Sequence, residues 1–140
     1  MSSFKIFEIA GSGMAAQSVR LNTVASNLAN ADSVSGSAET AYRARHPVFE
    51  AVRAEMRAGQ PGAGNAAVRI RDVIEDARAP EMRYEPGNPL ANAEGYVFAP
   101  NVNVVEEMVN MISASRAYQN NVEVMNTSKE LMLATLRMGQ

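Results

Sequence analysis

The chain has 140 residues, 46% of them apolar and 20% charged, with 13 basic against 15 acidic side chains and a formal net charge of −2. That composition suits one folded unit, and the near-balanced charge removes any general attraction to nucleic acid or anionic lipid. Cysteine is absent, which excludes disulfides, thiolate nucleophiles and Cys-based metal sites.

The opening MSSFKIFEIAGSG does not read as a cleaved secretory signal, because Glu8 interrupts its apolar run and no basic stretch precedes a long apolar core. No stretch approaches the ~20 apolar residues that span a bilayer, so no direct membrane insertion is expected. From Phe4 to Ala31 the pattern is helical. Phe7, Met14, Leu21 and Leu28 recur every seven residues, and Ala10, Val24 and Ala31 follow members of that series by three. The spacing predicts a heptad-like seam in an N-terminal segment over 1–32. Gly11 and Gly13 weaken this helix by roughly 1 kcal/mol each relative to Ala. Its other faces carry Asn22, Thr23, Ser26, Asn27 and Asn30 in place of the usual Lys and Glu. Such residues are poor helix formers, which points to a neighbour that needs short amides and hydroxyls.

Residues 33–100 lose the helical period. SVSGSAETA and RAGQPGAGNAA read as loops. Short strands are predicted at His46–Val52, where Pro47 favours a strand start or an edge, at Val68–Ile74, at Met82–Tyr84 and at Tyr96–Phe98. Pro86-Gly87 suits the central pair of a type II turn.

The helix returns in 101–140, where Asn103 can cap and Glu106 stands at the capping-box position. Val104, Met108, Met111, Ser115, Tyr118, Val122, Met125, Lys129, Met132 and Leu136 step by four and three, and Val105, Val109 and Ile112 widen the stripe. The predicted fold is therefore mainly α with a small β-rich insert. Paired long N- and C-terminal helices, coiled-coil-like, flank a short-stranded and loop-rich middle segment.

No constellation for catalysis, cofactor binding or metal ligation emerges. The sole histidine, His46, has no partners suggested by its context and reads as a loop or strand-edge residue. Glu106 and Glu107 are helix neighbours that point ~100° apart, so they do not face one substrate. Arg43, Arg45, Arg53 and Arg57 interleave with Glu50 and Glu55, which reads as a solvated mixed surface. Gly11-Ser-Gly13 lacks any following Walker or Rossmann pattern. The methionines Met108, Met111, Met125 and Met132 suit adaptable apolar packing. Two long narrow stripes with little middle segment to cover them favour packing against other chains.

ASNLANADS with the following Tyr42-Arg43, together with NPLANAEGYVFAPNVNVVEEMVNMISASRAYQNNVEVMNTSKELMLATLRMGQ, resembles the bacterial flagellar axial rod and hook protein family, nearest its proximal rod components. The likeness runs end to end and is strongest from Tyr84 to Gln140. The family often has Thr after the second Asn of its motif, whereas Ala31-Asp32-Ser33 follows here.

The resemblance implies a structural subunit whose terminal helices pair and pack into a torque-transmitting tube around an export channel, while the middle faces outward. It implies passage through the flagellar type III export apparatus without a cleaved signal, into the periplasmic rod of the basal body. The implied partners are copies of the chain and neighbouring rod proteins between the base ring and the distal rod. The assembly interface expected on this basis comprises Phe7, Met14, Leu21, Val24, Asn27, Leu28, Asn30, Val104, Met108, Met111, Ile112, Tyr118, Val122, Met125, Met132 and Leu136. In this reading the Leu21/Val24/Leu28 stripe lies on the chain's own C-terminal helix. The Asn and Ser faces meet adjacent subunits or line the channel. The alternative from a different class is a soluble coiled-coil adaptor, which shares the seams without needing the amide-rich faces.

Overall fold

The computed structural model describes residues 3–53 and 66–139. The Gly/Pro-rich stretch 59–65 lies outside the described residues. The elements run α1 (Ser3–Ala29), β1 (Arg45–Arg53), β2 (Ala66–Glu75), β3 (Glu81–Tyr84), β4 (Tyr96–Ala99) and α2 (Val104–Met138). Two long terminal helices thus flank a middle of short antiparallel strands, as the sequence predicts.

At 27 and 35 residues, the helices span about 40 and 52 Å. They lie antiparallel. Asn121 sits against Gly13, and Arg20 Nη2 donates to Asn110 Oδ1 at 3.1 Å, so rising numbers on α1 meet falling numbers on α2. α2 begins at an Asn103 cap whose Oδ1 accepts from the backbone N–H of Val105 and Glu106. Among the described residues Glu106 makes no return bond, so half of the expected capping box is absent.

The seam between the helices is made of small and polar side chains. α1 buries Ala10, Ala16, Thr23, Val24 and Asn27, and α2 buries Glu107, Ala114 and Ser128. On α2 the seam follows Glu107, Met111, Ala114, Tyr118, Asn121, Met125, Ser128 and Met132, with Ala114 0% exposed. The series read from sequence shares Met111, Tyr118, Met125 and Met132 with it but is otherwise displaced around the helix. Val104, Met108, Ile112, Lys129 and Leu136 are exposed, and Leu136 is 68% so. The reason is close approach. A Cβ on Gly13 would lie 3.0 Å from the Asn121 amide, so the axes come together where side chains are short. Three of the polar seam members need no partner across the gap. Thr23 Oγ1, Asn121 Nδ2 and Ser128 Oγ each donate to the carbonyl four residues back on their own helix.

β1 and β2 form an antiparallel pair from Arg45↔Glu75 to Arg53↔Ala66, with a register shift between Val48 and Phe49. The pair lies along α1. Its Arg45 end is bonded to Asn27, and the Val68 N–H donates to Ser12 Oγ at 3.2 Å. Those anchors are 15 residues apart on the helix, about 22 Å, which matches six residues of strand, about 20 Å, from Arg45 to the Ala51 that pairs with Val68.

β3 and β4 form a second pair, Glu81↔Ala99 to Tyr84↔Tyr96. Ser35 bridges to Phe98, and Val97, Ala99 and Pro100 are buried with Ala41 and Ala44 in a small second core. Gly95 closes the 92–95 turn at φ 82, and a side chain there would also meet the Tyr84 ring at 3.0 Å. Gly87 has no positive φ. The Asn88 N–H donates to Glu85 O across Pro86-Gly87, which makes a type I-like turn rather than the expected type II.

Candidate assembly surface on the terminal helices

The residues expected at an interface fall into three groups. Phe7, Met14, Leu21, Leu28, Met111, Val122, Met125 and Met132 are half-buried, and Val24 is buried. Val104, Met108, Ile112 and Leu136 are exposed, and Tyr118 sits just on the exposed side. The two amides behave differently. Asn30 Nδ2 donates to Ser26 O on its own helix, at 2.8 Å.

Asn27 is 0% exposed and fully engaged inside the chain. Its Oδ1 accepts from the Arg45 N–H and the Tyr42 hydroxyl, both at 2.9 Å, and its Nδ2 donates to Arg45 O at 2.9 Å. The side-chain amide thereby pairs with the N–H and C=O of one residue as a neighbouring β-strand would. In this chain Asn27 is therefore not free to meet an adjacent subunit. The sequence signal for this role was the Tyr42-Arg43 segment lying a short loop beyond the motif, but the partner is backbone and leaves no residue signature. Asn101 acts likewise, accepting from the Ala44 N–H and donating to Arg78 O at 2.8 Å each. Together these amides tie the start of β1 to the end of α1 and the start of α2.

What remains open is one face of α2. Val105, Met108, Val109 and Ile112 stand at one-turn spacing and are all exposed, Val105 by 70% and Val109 by 61%. Val109 and Ile112 continue into a shallow groove with Ser113, Arg116, Ala117 and Asn120. A second apolar set, Leu131, Leu133, Leu136 and Met138, is exposed at the far end of α2. Apolar side chains that the other described residues leave uncovered mark surfaces for other helices.

His46 is half-exposed, with Nε2 3.4 Å from Asp76 Oδ2. Asp76 is held mainly by Arg78, whose guanidinium and backbone N–H keep that carboxyl well below the usual aspartate range. Among the described residues no group of three His, Asp or Glu side chains could hold a metal, and no helix is long and apolar enough to cross a membrane.

Comparison with known proteins agrees with this geometry. A family model described as Flagella basal body rod protein matches residues 7–36, and one described as Flagellar basal body rod FlgEFG protein C-terminal matches residues 93–138. Each matched span covers most or all of one terminal helix. Relatives matching over the full length of both chains include the flagellar basal-body rod protein FlgC of Escherichia coli O157:H7, at 56% identity. Those of Salmonella typhimurium (strain LT2) and Bacillus subtilis (strain 168) are 54% and 33% identical. The chain belongs to the FlgC family of flagellar basal-body rod proteins.

Proposed function

We infer that the chain is a structural subunit of the flagellar basal-body rod and joins it through its terminal helices, chiefly the exposed apolar side chains of α2. The observation that carries this reading is the coincidence of the two family-matched spans with the two terminal helices, together with the exposed apolar side chains of α2. Helix packing against neighbouring subunits covers Val105, Met108, Val109 and Ile112 and builds a tube that transmits torque. The neighbours are other rod proteins and further copies of the chain. The subunit reaches the periplasmic side through the flagellar type III export apparatus without losing a signal peptide. The expected interface residues act in two ways. Val104, Met108, Ile112, Tyr118 and Leu136 meet neighbours directly. Phe7, Met14, Leu21, Val24, Leu28, Met111, Val122, Met125 and Met132 hold the helix pair that presents them.

The test is recovery of the chain with detergent-washed basal bodies from motile cells, comparing the native chain with Val109→Asp. The native chain is expected in the basal bodies and the variant is expected to be lost from them. A native chain found only in the soluble fraction would favour a coiled-coil adaptor and overturn the reading.

A further inference from the structure

The second half of β2 is an open strand. Arg71–Glu75 are all exposed, and Val73 and Ile74, which point to opposite faces of the ribbon, are 38% and 49% so. The alternation of ladder bonds fixes which backbone groups face outward. The Asp76 N–H donates to Ala44 O at 2.7 Å, so Asp76, Ile74 and Asp72 turn their backbone groups toward β1, while Glu75 and Val73 turn theirs away. Two observations agree with this register. Arg45, opposite Glu75, bonds through both its N–H and its C=O to Asn27 on the outer side of β1. Pro47, opposite Val73, has no N–H to give.

An edge that is apolar on both faces and carries outward N–H and C=O groups is a template for another strand. Two copies of this edge fit each other antiparallel, with Val73 of one opposite Glu75 of the other and the two Ile74 side chains adjacent. In that pairing half of the bonds between copies are donated by Val73. In the folded chain this donor is already taken, because Asp72 Oδ1 accepts the Val73 N–H at 2.8 Å. A carboxylate holds an N–H more strongly than a neutral carbonyl does, and an incoming strand must displace it in both copies. The bulge that leaves Arg71 unpaired between Ile70 and Asp72 ends the regular edge on the other side.

We propose that Asp72 guards this edge. By holding the Val73 N–H it keeps copies of the chain from joining strand to strand. The proposal concerns the isolated chain and does not depend on the rod-subunit reading. Asp72→Asn keeps a side-chain oxygen for the N–H but loses the charge. Asp72→Val removes both and leaves a good strand former. Asp72→Val combined with Val73→Pro removes the outward N–H itself. Self-association of each purified full chain is measured by sedimentation equilibrium, beside its heat denaturation midpoint.

Expected is self-association about tenfold or more stronger than native for Asp72→Val, a smaller rise for Asp72→Asn, and a return to the native level in the double variant. The midpoints of the single variants are not lowered. Native-level association in Asp72→Val overturns the proposal. Equal rises for Asn and Val assign the effect to charge rather than to the held N–H, and overturn it too. Association that persists in the double variant shows that another surface is at work, with the same consequence. A rise accompanied by a lowered midpoint shows that Asp72 serves the fold and that association follows unfolding, which again overturns the proposal.

Discussion

Asn27 serves as a strand edge that happens to be a side chain. Itself fully buried, it satisfies the backbone N–H and C=O of Arg45 and holds the Tyr42 hydroxyl. Asn27→Ala strands the two Arg45 backbone groups and leaves the Tyr42 hydroxyl only Ser26 Oγ, and each unmet polar group costs about 1–3 kcal/mol. The expected loss is about 2–4 kcal/mol, read by urea denaturation of the purified chain; a change too small to resolve would show that water replaces the amide freely. Asp76 is a weaker tie with a pH signature. Its folded pKa lies below its unfolded value because Arg78 stabilises the charged form. Its contribution is present above the unfolded value, about 3.9, and is lost as pH falls through the lower folded value. Asp76→Asn should therefore denature at a lower temperature than the native chain across neutral pH, by a constant gap. The gap should close on acidification below about pH 4. A gap that widens on acidification contradicts this account.

Within α1 the two glycines have different neighbours and so different expected responses. A Cβ at Gly11 meets nothing within 4 Å, whereas one at Gly13 meets the Asn121 amide at 3.0 Å. Gly11→Ala should stabilise the isolated chain by about 0.5–1 kcal/mol through helix propensity alone. Gly13→Ala should gain less or lose, because Asn121 must give up its position against Ala117 O. Melting of the two variants side by side checks this, and equal stabilisation would show that the helices do not approach as closely as described. Within α2, Ala114→Asp places a charge in the seam and should unfold the helix pair, while Val109→Asp should leave the chain's own circular dichroism intact. The helices, their cap and the four strands were legible in the sequence because periodicity and turn residues report local structure. The seam was legible only in period. α2 carries two stripes, and Val104, Met108 and Ile112 drew the reading to the larger side chains. Close approach instead selects Ala114, Ser128 and Asn121, whose hydroxyl and amide groups back-bond to their own helix. No sequence feature announces that the face bearing Glu107 is enclosed.

For the whole molecule, the narrow seam sets how firmly the helices hold before neighbours arrive. Ordering a residue's backbone costs about 1–2 kcal/mol, and side chains as small as Ala and Ser return little apolar burial against that cost. Amide hydrogen exchange in the isolated chain should therefore show weak protection over Leu21–Ala29 and Met108–Met132. β4 and its surroundings, with Val97 and Ala99 buried, should be better protected. In assembled basal bodies both helices should become strongly protected. Full protection in a verified monomer would show that folding does not wait for assembly. The antiparallel arrangement has a mechanical consequence. The outer ends of α1 and α2 lie together, while the Asn27 and Asn101 ties sit at the opposite end. A pull between Ser3 and Met138 peels the pair apart turn by turn, so only the leading contacts resist. A load that slides one helix along the other strains every seam contact together, and the interlock of Gly13 with Asn121 resists it as a tooth does. The subunit is thus compliant to peeling and stiff to shear, and forces travelling along the helix axes meet its stiff direction.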